Sequence, residues 1–509
     1  MADTNAKIEK RREEARKRKE QNKKKANSPI KQSTKKHFKI AGCVLVFLLV
    51  LAIIIMPSMG VTRRIVPAVK IGDTSINTAE YSYYYQMAFG NYYQTMVQYL
   101  GEENVPIDLS RSLSKQDMSE DQTYADYFSN NAINTLTQFV VLNDEAKKAG
   151  FTLTEEQENM IEETIQQIRA TATNNNMSLD DYFSANYSRG INEEVFRQMI
   201  RRELIAESYQ EYKINEPVYT DEEREAYYAE NKKNFSTVDL RYERFAAAAA
   251  TETSEEVTAD QAKEEAEAFL EAITDGKSFG ELSLERAKAK ADDEAEVSDT
   301  SLWEGVSYSS LQMFSADLAD WAYSDDTKVG DKTLVEGASG VYYVAYLEAT
   351  AYRNETKTAN VRHILITVSD MENEEAKAAA KAEAEQLLNQ WKENGGTEEA
   401  FAELANANSN DTGSNTTGGL YENVLPGQMV AGFNDWCFDP SRQPGDSGIV
   451  ETNFGYHVMY YISSGVPTWS YNVDQTMRNE AYSSYYEEVS TGYEVSTNWL
   501  GMLLRNEPI

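Results

Sequence analysis

Three histidines occur in the 509-residue sequence, and two of them sit in similar settings, His363 in VRHILI and His457 in GYHVMYY. Each run is rich in Val, Ile or Tyr and bounded by polar residues or glycine, the pattern of a half-buried strand. Two imidazoles on neighbouring strands can orient one another, move protons or ligate a metal. A metal site needs about three or four clustered ligands, and no third presents itself near this pair. Cys437 stands in the apolar DWCF segment with no histidine at a suggestive spacing, so it reads as a buried packing residue rather than a nucleophile. No glycine-rich phosphate loop, Ser-His-Asp arrangement or Cys/His cluster is present. Nucleotide and metal chemistry have no support, and no cofactor is expected.

The segments around the histidines indicate how they are positioned. Between them runs EEAKAAAKAEAEQLLNQWKENGG, dominated by Ala, Glu, Lys and Leu and stopped by Gly395 and Gly396, which predicts a helix. A second helical patch, EEAFAELANANS, is followed by the turn-rich DTGSNTTGG and then by GQMVAGFNDWCF, with apolar Met429, Val430, Phe433, Trp436 and Phe438. In QPGDSGIVETNFGYHVMYYI, Gly445-Asp446 precedes two short strands joined by a turn around Asn453 to Gly455. The order is strand, helices, strand.

Residues 356–464 resemble a complete parvulin-type peptidyl-prolyl cis/trans isomerase domain. The matching pieces, in order, are a His in the first strand, an F..LA...S.D segment, a GG...GQM...F stretch and a terminal G.V.T.FGYH hairpin. The resemblance implies that His363 and His457 form a buried pair with Thr452 as their hydrogen-bonding neighbour. It also puts Asp411 at the polar position near the reacting amide, and these four are the candidate catalytic residues. Met429 and Phe433 would form the proline pocket, with Tyr421 and Phe454 beside it as further substrate-binding candidates. Tyr421 stands where the family usually has Leu, and Glu422 where it usually has Gly, so the pocket departs in shape from the family pattern.

An internal repeat precedes this domain. Shifting the chain by 115 residues places 320–323 (DWAY) on 435–438 (DWCF), Gly330-Asp331 on Gly445-Asp446, and VEGASGVYYVAYL on VETNFGYHVMYYI without a gap. LRYERF from Leu240 matches VRHILI. In this alignment Tyr242 and Tyr342 replace the histidines, Gly337 replaces Thr452, and Ser339 replaces Phe454. Phe314 and Leu318 take the positions of Met429 and Phe433. The first copy is therefore expected to share the fold without the activity, leaving an apolar groove for extended peptide or a structural spacer.

Upstream, VPAVKIGDTSINTAEYSYYYQMAF starts with a strand pair around Gly72-Asp73 and enters a long helical region ending near Lys233. Segments beginning with Asp, Thr or Asn caps show apolar residues at helical spacing and polar far faces. This region resembles the N-terminal chaperone part of extracytoplasmic foldases that carry parvulin domains. Tyr83 to Tyr85, Met87, Tyr92, Tyr93 and Met96 would either contact unfolded chains or pack the helices.

Residues 40–56 form an unbroken apolar or small-residue run, IAGCVLVFLLVLAIIIM, which predicts one uncleaved transmembrane helix over 40–61. The preceding 39 residues carry 15 Lys and Arg against 5 Asp and Glu, a charge of +10, so the rest holds −44 of the total −34. Charge asymmetry across the run predicts a single-pass protein of the cell membrane, N-terminus cytoplasmic and C-terminal domains extracytoplasmic. The acidic exported part disfavours nucleic acid as a partner. Cys43 within the span and Cys437 outside it leave no internal disulfide.

The expected fold class is α+β and multidomain: a transmembrane helix, a mostly helical chaperone-like domain, and two tandem parvulin-like domains, each an antiparallel sheet with flanking helices. The expected boundaries are a basic arm at 1–39, the span at 40–61, the helical domain at 66–233, a degenerate copy at 237–350 and a catalytic copy at 356–464. A helical tail over 465–509 is expected to pack on the chaperone-like domain. The expected function is a membrane-anchored peptidyl-prolyl isomerase and chaperone for newly exported, unfolded polypeptides with Xaa-Pro bonds. The alternative is a tethered holdase or scaffold without catalysis.

Overall fold

The computed structural model describes residues 10–21, 60–248, 257–290, 297–337 and 340–507. Residues 10–21, in the basic arm, form an exposed helix. The expected span over 40–61 lies, apart from its last two residues, outside the described residues. Among the described residues no helix is long and apolar enough to cross a membrane. The chain divides into two compact units, Met1–Glu216 with Ala481–Ile509, and Pro217–Glu480.

The first unit is mostly helical. Strands Pro67–Ile71 and Thr74–Asn77 meet at a turn through Gly72, and Asn77 caps the long helix Thr78–Leu100 by accepting from the Glu80 N–H. Thr123 and Thr154 open helices Tyr124–Ala149 and Glu155–Asn174 with capping boxes, each satisfying otherwise orphaned N–H groups. Tyr81, Tyr85, Phe128, Leu136 and Ile165 are fully buried in one core. The tyrosine-rich run thus splits by face: Tyr84 and Tyr85 are core, whereas Met87 is 37% exposed. The segment after 465 is not purely helical. It finishes a strand at Pro467, forms a helix over Thr468–Ser490, and then adds strand Val495–Thr497 to the unit's sheet, antiparallel to Pro67–Ile71.

The second unit holds two sheets of identical topology. In the first copy β1 (Ser236–Ala246), β2 (Leu302–Ser307), β3 (Lys332–Glu336) and β4 (Val341–Arg353) lie in the order β2-β1-β4-β3. In the second, β5 (Lys357–Thr367), β6 (Leu420–Val424), β7 (Ser447–Thr452) and β8 (Gly455–Pro467) lie in the order β6-β5-β8-β7. All neighbours are antiparallel.

Side-chain alternation assigns the two faces of the second sheet. Ile364, Ile366, Tyr456 and Val458 pack under the helices Glu374–Glu393 and Glu398–Asn408, against Ala384, Leu387, Trp391 and Phe401. Val361, Met459 and Tyr461 point the other way, onto the short helix Ala431–Cys437. The residues that carry the histidines belong to this second face.

The repeat holds in topology but slips by one residue in its last hairpin. Gly330 donates to the Leu347 carbonyl and Gly445 to the Tyr461 carbonyl, so Leu347 corresponds to Tyr461. Gly337 pairs across to Val341, whereas Thr452 pairs directly with Gly455, which makes the first copy's turn one residue longer. The residue at the place of His457 is therefore Tyr343, not Tyr342. Tyr342 faces the opposite side of the sheet, with Phe245 and Phe269, as a one-residue shift in a strand requires. Tyr343 instead joins Tyr242, Trp303 and Phe314. Their rings interlock, with Tyr242 4.4 Å from Trp303 and Phe314 6.3 Å from Tyr343 between centroids. The groove expected in the first copy is occupied by its own aromatic side chains.

Candidate active site

Strands β5 and β8 pair so that His363 faces Met459 and His457 faces Leu365. The two histidines are thus diagonal neighbours on one face, within reach of each other. Their rings lie 5.3 Å apart, nearly parallel at 21°. His363 Nδ1 and His457 Nδ1 are 3.1 Å apart. At the far side of His363, Nε2 is 2.9 Å from Asp411 Oδ2, and at the far side of His457, Nε2 is 2.8 Å from Thr452 Oγ1.

These contacts fix the tautomers. An ionised carboxylate only accepts, so His363 donates from Nε2 and keeps a lone pair on Nδ1. His457 must then donate from Nδ1 and accept at Nε2 from the Thr452 hydroxyl. Thr452 Oγ1 in turn accepts from the Phe454 N–H at 3.2 Å. One directional chain runs from the hairpin turn through both neutral imidazoles to Asp411. Protonating both rings would set the two Nδ1–H groups against each other.

The electrostatics agree with that reading. Burial lowers the pKa of His363 and outweighs the opposing pull of Asp411. Burial and then the neighbouring His363 bring His457 down to about 4. Burial alone would raise Asp411, but hydrogen bonds from Ser414, His363, the Gly413 N–H and Tyr421 prevail and hold it at about 2. The site at neutral pH is one carboxylate beside two uncharged imidazoles.

Helix Ala431–Cys437 supplies the apolar cover. Phe433 stands edge-on to both imidazoles, 5.3 Å from His363 and 5.5 Å from His457 at 81° and 85°. It is only 3% exposed, so its ring serves the histidines more than any ligand. Half-buried Met429 and Tyr421 provide the accessible apolar surface around it. Phe454, at the hairpin tip, is 53% exposed. Glu422 is exposed, and the positive φ of this stretch falls instead on Asn423, at 52°. Cys437 is buried, and burial pushes its thiol up to about 12. It is no nucleophile at neutral pH.

Ser414 escaped the sequence reading. It is fully buried, donates to Asp411 Oδ2 at 2.5 Å and lies 3.3 Å from His363 Nε2. The only signal was a serine three residues beyond an aspartate in a turn. Gly419 also matters. Its carbonyl accepts from the His363 N–H, and at φ 68° an added Cβ would fall 2.1 Å from the His363 carbonyl. Gly419→Ala is expected to destabilise the domain by about 2 kcal/mol through this clash and the left-handed backbone. A lowered urea midpoint for loss of the β5 amide protection would register it.

Paired buried imidazoles on adjacent antiparallel strands, capped by Phe433 and bonded to Asp411, define a parvulin-type domain. The chain carries such a domain joined to a SurA-like region: residues 344–462 match the PPIC-type PPIASE domain, and residues 30–210 the SurA-like N-terminal domain. Chaperone SurA of Chromohalobacter salexigens is 27% identical over 299 residues, covering 57% of this chain and 64% of that protein. Foldase protein PrsA 1 of Listeria innocua is 32% identical over 113 residues, 22% of this chain and 33% of that protein. The crystal structure of PrsA from Bacillus subtilis aligns at 14% identity over 73% of this chain and 90% of that one, with a TM-score of 0.26. The chain thus spans less than two thirds of the length of these curated relatives.

These comparisons correct the expected localisation. Relatives matched over more than half of this chain are named chaperone SurA, and no described helix is long and apolar enough to cross a membrane. The assignment to a single-pass protein of the cell membrane is withdrawn.

Proposed function

We propose that the chain is a peptidyl-prolyl cis/trans isomerase and chaperone for exported, unfolded polypeptides, with catalysis confined to the second parvulin-like copy. The observation that carries this reading is the unbroken chain from Thr452 through His457 and His363 to Asp411 beneath Met429 and Phe433. Rotation about a prolyl amide is slow because it breaks C–N resonance, at a barrier of about 18–20 kcal/mol. No covalent bond is made or broken, so a site needs only to bind the twisted amide better than the planar one. Twisting withdraws negative charge from the carbonyl oxygen. A fixed carboxylate with neutral imidazoles disfavours the planar, charge-rich carbonyl relative to the twisted one. Met429 and Tyr421 would hold the prolyl ring away from water.

The boundaries proposed for the two copies are 237–350 and 356–464, and the interlocked rings of Tyr242, Trp303, Phe314 and Tyr343 support a non-catalytic first copy. In the helical unit, a groove of about 810 Å³ lined by Met87, Tyr92, Tyr127, Asn134, Gln138 and Tyr486 supports contact with uncharged stretches of unfolded chain. The deciding experiment is protease-coupled isomerisation of Xaa-Pro tetrapeptides by the full chain. Acceleration well above the uncatalysed rate is expected. A rate equal to the uncatalysed one leaves only a binding protein.

A further inference from the structure

We propose that Tyr421 and Ser414 are positioning residues for prolyl isomerisation, clamping the Asp411 carboxylate beside His363. This rests on the reading of the second copy as the isomerase.

Three side chains converge on a single oxygen. Asp411 Oδ2 accepts from Ser414 Oγ at 2.5 Å, from Tyr421 Oη at 3.0 Å and from His363 Nε2 at 2.9 Å. Each comes from a different part of the fold: Ser414 from the turn that holds Asp411, Tyr421 from β6 and His363 from β5. A carboxylate gripped from three directions cannot rotate without breaking two or more bonds at once. Oδ1 accepts from the Gly413 N–H at 3.2 Å, which leaves it the oxygen with acceptor capacity for a substrate.

The backbone around Tyr421 is shaped for this contact. The pairing of β6 with β5 shifts register between Tyr421 and Val424, and Asn423 takes φ 52° within that irregularity. Bulges of this kind re-aim a neighbouring side chain. Asn423 is itself anchored: its N–H donates to Asn360 Oδ1 at 2.7 Å, and its Oδ1 accepts from Thr358 Oγ1 at 3.1 Å. Tyr421 also lies 5.3 Å from the His363 ring, touching both members of the pair it aligns. A leucine in its place could wall the niche but could not donate.

The titratable groups facing Asp411 are His363 from β5 and Tyr421 from β6, with His457 from β8 behind His363. On acidification the His457 imidazole protonates before Asp411, so the clamp is read from the titration of the carboxyl itself. Removing one donor from a carboxylate weakens its ionised form. In Tyr421→Phe, which keeps the ring, the ionised form of Asp411 should be weakened by the equivalent of about one pH unit, with a larger loss in the Tyr421→Phe/Ser414→Ala double variant. The Asp411 side-chain carboxyl, followed by carbon NMR, should titrate at correspondingly higher pH. Unchanged carboxyl titration in Tyr421→Phe, even with a raised KM, would reduce Tyr421 to a wall of the niche and overturn the clamp. If Ser414→Ala does not fold, Tyr421→Phe alone decides. Should the unmutated chain show no isomerase activity, the functional reading fails, while the carboxyl titration still tests the clamp.

Discussion

His363→Ala is expected to lower kcat/KM for Xaa-Pro isomerisation about 100-fold, measured by protease-coupled assay on the full chain. His363 is the middle of the hydrogen-bonded chain, and its loss has three effects. Asp411 loses one of the donors that orient it, the His457 Nδ1–H loses its acceptor, and the edge of Phe433 loses a ring beneath it. Removing a single preorganised electrostatic contact from an active site commonly costs 10²–10³ in rate. His363→Leu keeps the volume and separates lost polarity from a lost core side chain. Compensation by the first copy is not expected, because Tyr242 and Tyr343 stand there in the places of the two histidines. A loss below about threefold in both variants would remove the histidine pair from the mechanism.

Acidification from pH 7 to 4 is expected to lower the stability of the second copy by about 3 kcal/mol, most of it between pH 6.5 and 4. Burial, and then His363, hold His457 at about 4 in the fold, against about 6.5 in an unfolded chain. Over that window the unfolded state binds a proton that the native state refuses, so stability is full above pH 6.5 and falls as the pH drops towards 4. His363 is displaced in the same direction by its burial. Asp411, at about 2, contributes stability that is lost only at still lower pH. Urea titrations at several pH values, followed by amide exchange of β5 and β8, would measure the slope. A His457→Gln variant should flatten it. A midpoint independent of pH from 6.5 to 4.5 would contradict the buried neutral pair.

Much of this was legible because the signals were local. Apolar runs around His363 and His457 marked both strands, and Thr154 and Asn192 open helices as capping residues do, while Asp126 falls three residues after the cap at Thr123. Family pattern put Asp411 at the polar position near the reacting amide, and its bond to His363 emerges only from the structure. What stayed hidden depends on geometry between segments. Tyr421 read as a change in pocket shape, yet its hydroxyl reaches a carboxylate on another loop. Ser414 looked like one more turn residue among DTGSNTTGG. The slip from Tyr342 to Tyr343 has a simple origin: similar hairpins with turns of different length align without a gap in sequence, but strand register counts every residue. Phe433 read as a pocket wall, and its burial followed from two imidazoles against which its edge fits.

Strand Val495–Thr497 lies against Pro67–Ile71, with Thr497 opposite Val69, and the whole of Pro217–Glu480 is threaded between them in the chain. As the polypeptide emerges from the ribosome or a translocation channel, Pro67–Ile71 must therefore wait, unpaired on that edge, until Val495–Thr497 has been made. The described strands of the intervening unit's two sheets pair with one another, so these sheets can condense first. Vectorial synthesis thus lets the parvulin-like insert mature before the helical unit can seal its sheet.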